Sequence, residues 1–160
     1  MQTDSLRKMV INAMIKGESG AGRLRIAYCK RKGEIMLNTI HTNDAPAAIG
    51  PYSQAVSYGD ILFTSGQIPL DAVSGEIAGE DITAQAEVVM KNIAAILSAA
   101  GTGFEKVIKT TCFLADMADF AAFSQVYANY FTGKPARSCV AVKTLPRNVL
   151  CEVEVIAALK

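Results

Sequence analysis

Ala55-Val56-Ser57-Tyr58-Gly59-Asp60-Ile61-Leu62-Phe63-Thr64-Ser65 is the stretch on which the fold turns. Two apolar or alternating runs flank a Gly-Asp pair, the pattern of a tight β-hairpin. After the turn-rich segment Asp71–Glu80, Ile82, Ala86, Val89, Ile93, Ile96, Leu97 and Ala100 recur at helical spacing. Asp81 is placed to cap that helix, and Gly101 and Gly103 to end it. A hairpin followed by a long amphipathic helix points to a mixed fold.

Further along, Val107–Leu114 is rich in β-branched residues and reads as a strand. A second helix starts near Asp116 or Asp119 and carries Phe120, Phe123, Tyr127, Tyr130 and Phe131 on a buried side, with Gly133 beyond its end. We read this aromatic stripe as core. Ser138–Thr144 and Cys151–Leu159 are expected to be strands joined by a turn at Leu145-Pro146-Arg147-Asn148. The order strand, strand, helix, strand, helix, strand, strand suits an α+β domain with a mixed sheet and both helices on one face. Its other face then needs cover, and a partner subunit is the expected one.

Charge divides the chain in two. Residues 1–35 hold eight Lys/Arg and three Asp/Glu, a net of +5, whereas residues 36–160 hold eight against twelve, a net of −4. The first segment shows only a weak helical pattern around Leu6–Ile15. A basic leader can bind nucleic acid or anionic membranes, or act as a transit peptide. Arg31-Lys32-Gly33-Glu34-Ile35-Met36 is also what a purine-rich ribosome-binding sequence followed by a start codon would encode. We therefore expect 1–35 to be an unstructured or untranslated extension, and 36–160 to be the single domain.

Cys29, Cys112, Cys139 and Cys151 form no C-x-x-C pair, and His41 is the only histidine. A structural metal is not expected, and reduced thiols fit a cytoplasmic protein better than a disulfide framework. No apolar run reaches the roughly 20 residues that a membrane-spanning helix needs. There is no G-x-G-x-x-G, G-x-x-x-x-G-K-[ST], G-x-S-x-G or H-E-x-x-H motif, which removes the main support for nucleotide, serine-hydrolase and zinc-protease readings.

Chemistry then falls to a few residues. Arg137 opens the strand after Pro135-Ala136, and its planar donor fork suits capture of a small carboxylate. It could equally be a surface arginine, which residue type alone favours. Alternation puts Glu152 and Glu154 on one face of the last strand with Ile156, and Val153, Val155 and Ala157 on the other. A carboxylate among apolar neighbours can gain proton affinity and act on water, although two solvated edge glutamates are the commoner case. Cys139 shares a face with Arg137, but no histidine stands ready to activate it, so we read it as pocket-lining or buried.

Ala45-Pro46-Ala47-Ala48-Ile49-Gly50-Pro51-Tyr52-Ser53-Gln54, Phe63-Thr64-Ser65-Gly66-Gln67-Ile68-Pro69, Lys109–Leu114, Pro135–Val140 and Glu152-Val153-Glu154 together resemble the reactive intermediate deaminase (RidA, YjgF) family, in the family's order over about residues 37–159. The resemblance implies a chorismate-mutase-like fold assembled as a homotrimer with clefts between subunits. It implies hydrolysis of 2-aminoacrylate, 2-iminopropanoate and 2-iminobutanoate to 2-oxo acids and ammonia, without a cofactor. By motif position, Arg137 would hold the substrate carboxylate and Glu152 would position or activate water. Tyr52, Ser65, Gly66 and Cys139 would line the cleft. Ser124 stands where the family often has asparagine, and Cys151 replaces the usual aliphatic residue, which bears on substrate preference. The expected partners are small imine or enamine carboxylates, with no membrane or nucleic acid among them. Two other readings stay open: a non-catalytic trimer that senses 2-oxo or amino acids, and an RNA-acting or chaperone-like relative, which the acidic 36–160 segment fits poorly.

Overall fold

A computed structural model describes residues 37–160. The expectations for residues 1–35 and for a start at Met36 lie outside the described residues. Among the described residues, six strands and two α-helices follow one another: β1 (Leu37–Ile40), β2 (Ala55–Tyr58), β3 (Ile61–Thr64), α1 (Ile82–Ala100), β4 (Val107–Leu114), α2 (Phe120–Tyr130), β5 (Ala136–Ala141) and β6 (Cys151–Ala158). They build one mixed sheet in the order β1-β2-β3-β6-β4-β5, in which only β4 and β5 run parallel.

The hairpin forms as its sequence directs. Tyr58 pairs with Ile61 across Gly59-Asp60, and Gly59 takes a left-handed φ of 62° that a side chain would resist. Helix α1 begins where the Asp81 carboxylate accepts from the Ala84 N–H at 2.8 Å. It ends at Gly101, whose φ of 78° lets its N–H reach the carbonyls of Leu97 and Ser98. Three buried polar side chains, two of them on this helix, are satisfied rather than stranded. Asn92 donates to the Ile68 and Leu70 carbonyls, Gln85 spans Gly79 and Leu150, and Gln54 reaches the carbonyls of Thr42, Ala45 and Pro46.

Both helices lie on one face of the sheet, where Leu62, Val89, Ile93, Leu114, Phe123, Val153 and Val155 form a closed core. The burial of β6 alternates strictly, with Cys151, Val153, Val155 and Ala157 buried and Glu152, Glu154 and Ile156 half-exposed on the other side. Among the described residues no helix covers that second face, on which Phe63 and Tyr58 are exposed.

The bounds of one expected strand need correction, and two features were not foreseen. Strand β1 was not foreseen, because Leu37–Ile40 is short and only half-buried at the sheet edge. The strand expected at Ser138–Thr144 runs instead over Ala136–Ala141, since its register follows parallel pairing with β4, from Lys109↔Ala136 to Leu114↔Ala141. The final turn contains a 3-10 helix, Pro146–Asn148, in which Arg147 and Asn148 both take φ of 57°. Arg147 donates to the Gly75 carbonyl and pairs with Glu76 at 3.0 Å, which ties this turn to the Asp71–Glu80 loop.

Candidate active site

The residues singled out from the sequence divide into two groups on opposite faces of the sheet. Arg137 is the direct neighbour of Thr110, and Cys139 of Cys112, so both project to the helix-covered face. Glu152 pairs with Phe113 and projects to the bare face.

On the helix side, Arg137 lies along α2. Its guanidinium carbon stands 4.8 Å from the Tyr127 ring centre and 5.2 Å from that of Phe120, and its Nη1 donates to Ser124 Oγ at 3.3 Å. Phe120, Ser124 and Tyr127 are spaced i, i+4, i+7, so one stripe of α2 receives the whole side chain. The aromatic stripe read as core is therefore also the floor beneath Arg137. Around it opens a cleft of about 370 Å³ lined by Ser124, Tyr127, Phe131, Lys134, Pro135 and Arg137, with no acidic residue in its wall. Among the described residues no carboxylate pairs with Arg137. Cys139 is half-buried behind it. Burial pushes this thiol's proton affinity up, and the Arg137 charge offsets that only in part. The shift disfavours the thiolate that a nucleophile needs. Burial pushes Cys112 and Cys151 further, to about 12.

The second group gathers where β3 leaves the ladder. Phe63 pairs with Ile156 and Gln67 with Val153, so Thr64, Ser65 and Gly66 oppose only Val155 and Glu154. Thr64 Oγ fills the gap by accepting from the Val155 N–H at 2.9 Å. The extra residue makes a bulge, a device that re-aims backbone near functional sites. Gly66 thereby comes to rest against the Glu152 carboxyl. Ser65 Oγ donates to the Ser53 carbonyl at 2.7 Å, and buried Gln67 donates to the Ser65 and Gly66 carbonyls. Tyr52 and Gly66 share the wall of a small cavity of about 40 Å³ with Pro46, Ile49, Gln54 and Gln67. Burial, and then the neighbouring Glu154 charge, raise the proton affinity of Glu152 above that of an ordinary carboxyl.

The structure thus assembles Arg137, Ser124 and Cys139 in one place and Tyr52, Ser65, Gly66 and Glu152 in another, with the sheet between them. Sequence reading missed Gln54 and Gln67, which shape the second group. Both were visible inside the quoted motif blocks, but a glutamine's partners are set by tertiary structure. No group of three or more His, Cys, Asp or Glu among the described residues could hold a metal ion, and no helix of the described residues is long and apolar enough to cross a membrane.

Residues 42–159 match the family model described as endoribonuclease L-PSP. A Salmonella typhimurium protein named 2-iminobutanoate/2-iminopropanoate deaminase is 48% identical over 126 residues, covering 76% of this chain and 98% of the relative. The RutC family protein y4sK of Sinorhizobium fredii is 48% identical, covering 78% and 99%. The crystal structure of E. coli TdcF with bound serine is similar at 44% identity and a TM-score of 0.72, covering 76% of this chain and 98% of that one.

Proposed function

The chain belongs to the endoribonuclease L-PSP family, also known as the YjgF/RidA/RutC family, and from that premise we propose that it hydrolyses reactive imino acids to 2-oxo acids and ammonia. The substrates are 2-iminopropanoate, formed when 2-aminoacrylate tautomerises, and 2-iminobutanoate. The observation that carries this reading is Arg137: a guanidinium seated on two rings, free of any acidic partner among the described residues, in a cleft whose wall holds no acid. Such a group is poised for a carboxylate. A relative of this degree of identity is named for this activity, and another similar protein is described with serine bound.

Because the sheet separates Arg137 from Glu152 within one chain, the working site is shared between copies. The domain, residues 36–160, is chorismate-mutase-like and assembles as a homotrimer, whose contacts cover the bare face and bring the Arg137 cleft of one copy to the Glu152–Gly66 corner of the next. Arg137, assisted by Ser124, holds the substrate carboxylate. Glu152, with its raised proton affinity, takes a proton from water as the oxygen bonds to the imine carbon. Glu152 returns that proton to the imine nitrogen, giving a carbinolamine with OH and NH2 groups; the hydroxyl proton then moves to nitrogen, the C–N bond breaks, and ammonia leaves as C=O forms, with Glu152 again a carboxylate. Tyr52, Ser65, Gly66 and Cys139 shape the cleft. Orientation and fixed donors suffice for a substrate that already hydrolyses slowly in water.

The test is ammonia and 2-oxo acid release from 2-aminoacrylate or 2-iminobutanoate generated in situ by a dehydratase. Acceleration over the uncatalysed rate supports the deaminase. Tight 2-oxo acid binding without acceleration supports a sensing trimer instead.

A further inference from the structure

We propose that Tyr127, tethered by Thr110, is a positioning residue that seats the Arg137 guanidinium for carboxylate capture; this deepens the reading of Arg137 given above and rests on it. Thr110 and Arg137 are direct neighbours across the parallel β4–β5 pair, and both meet the same side chain of α2. The Thr110 and Tyr127 hydroxyls are 3.0 Å apart in a buried bond, while the Arg137 guanidinium lies 4.8 Å over the Tyr127 ring. The three residues form a closed triangle of sheet, helix and arginine.

The ring is fixed from behind as well. Phe131 stacks on Tyr127 with centres 4.2 Å apart and planes 25° apart, and Phe104 meets Phe131 edge-on at 4.9 Å. Thr110 is fully buried and Tyr127 nearly so, so the hydroxyl bond cannot be exchanged for water without opening the core. A buried phenol needs a partner wherever it stands, and here that partner is Thr110, the strand neighbour of Arg137. Here the anchor sets the depth and tilt of the ring on which the guanidinium rests. A cation held over a ring face keeps its edge N–H groups available, and those are the groups that meet a carboxylate in parallel. An arginine otherwise loses considerable side-chain entropy on binding, and a preformed seat removes much of that loss before the ligand arrives.

The experiment uses the full chain, with 2-oxobutanoate as probe and three readouts: its affinity by NMR titration, the Arg137 Nε–Hε resonance, and unfolding by heat. Tyr127→Leu removes the ring and is expected to weaken 2-oxobutanoate binding about tenfold. It should also move the Arg137 resonance toward its random-coil position, as the ring current is lost. Thr110→Val and Tyr127→Phe are expected to weaken binding about threefold each, because each releases the tether while leaving the ring. The Thr110→Val/Tyr127→Phe pair leaves no buried hydroxyl stranded, so it should recover the stability lost in Thr110→Val but not the affinity.

A double variant that recovers both, or binding and resonance unchanged in all four variants, would overturn the proposal and return Tyr127 to a packing role. If Tyr127→Leu fails to fold, the three near-isosteric variants still decide. A wild-type chain that binds 2-oxobutanoate through this seat yet releases no ammonia would sink the deaminase reading alone, whereas no binding of 2-oxobutanoate would remove the carboxylate anchor and its seat together.

Discussion

Gly66 and Glu152 are so close that a Cβ added to Gly66 would stand 2.7 Å from Glu152 Cδ, with Oε1 closer still. The neighbour is the far end of a flexible side chain, so the clash resolves by moving the carboxyl and leaving the backbone in place. Gly66→Ala is therefore expected to fold with little loss of thermal stability and to lower kcat/KM at least tenfold, since small misplacements of a reacting group are costly. Steady-state assays beside thermal unfolding check this. A variant with full activity would show that Glu152 need not occupy this corner.

Glu152 gives a prediction in which stability and activity move oppositely. Its proton affinity is raised, first by burial and second by Glu154, so the folded state holds this proton more firmly than the unfolded chain does. Between the ordinary carboxyl value near 4.5 and the raised one, stability falls as pH rises, and above that window the charged carboxylate is a standing cost to the fold. Glu152→Gln should unfold at a higher temperature than wild type at neutral pH and lose most of its activity. Glu154→Gln removes the second cause, so the acid limb of its pH–rate profile should shift to lower pH. An unmoved limb would argue that another group governs it.

Arg137→Ala should lower kcat/KM by roughly a hundredfold while leaving the assembled state unchanged by light scattering, a loss of about 3 kcal/mol in transition-state stabilisation by analogy with deletion of an oxyanion donor. Arg137→Lys should rescue little of this, because a lysine offers a point charge where two parallel donors and a ring-stacking plane are required. Normal kcat/KM in either variant would remove the carboxylate-anchor role.

What the sequence revealed of this molecule follows from how local each signal was. The Gly59-Asp60 turn, the Asp81 cap and the Gly101 stop depend on neighbours within a few residues, and all three stand in the structure. The strict alternation along β6 likewise placed Glu152 and Val153 on opposite faces. Where pairing decided the outcome, reading failed. β5 takes its bounds from β4, and β1 exists only because β2 offers it an edge. The site was legible as motif blocks, but not its division by the sheet. That Arg137 and Glu152 face away from each other requires knowing that Arg137 pairs with Thr110 and Glu152 with Phe113. Nor could the helix stripe Phe120, Ser124, Tyr127 be matched to Arg137 without the fold, since core packing alone explains its aromatic residues.

Gln54 offers a test of whether the missed residues shape the site or merely hold the fold. Its buried amide nitrogen donates to the carbonyls of Ala45 and Pro46, and its oxygen accepts from the Thr42 N–H at 2.8 Å. It thus fixes the loop that leads to Ala47, Ile49 and Tyr52 at the small cavity. Gln54→Leu keeps the bulk and strands those backbone groups, which should cost about 1–3 kcal/mol by urea unfolding. Val155→Ala, in the fully buried part of β6, supplies a comparison of similar cost, because it removes only core methyl groups. If the loop matters to the cleft, Gln54→Leu should lower kcat/KM several-fold at a temperature where both variants are fully folded, and Val155→Ala should not. Equal activities would assign Gln54 to stability alone.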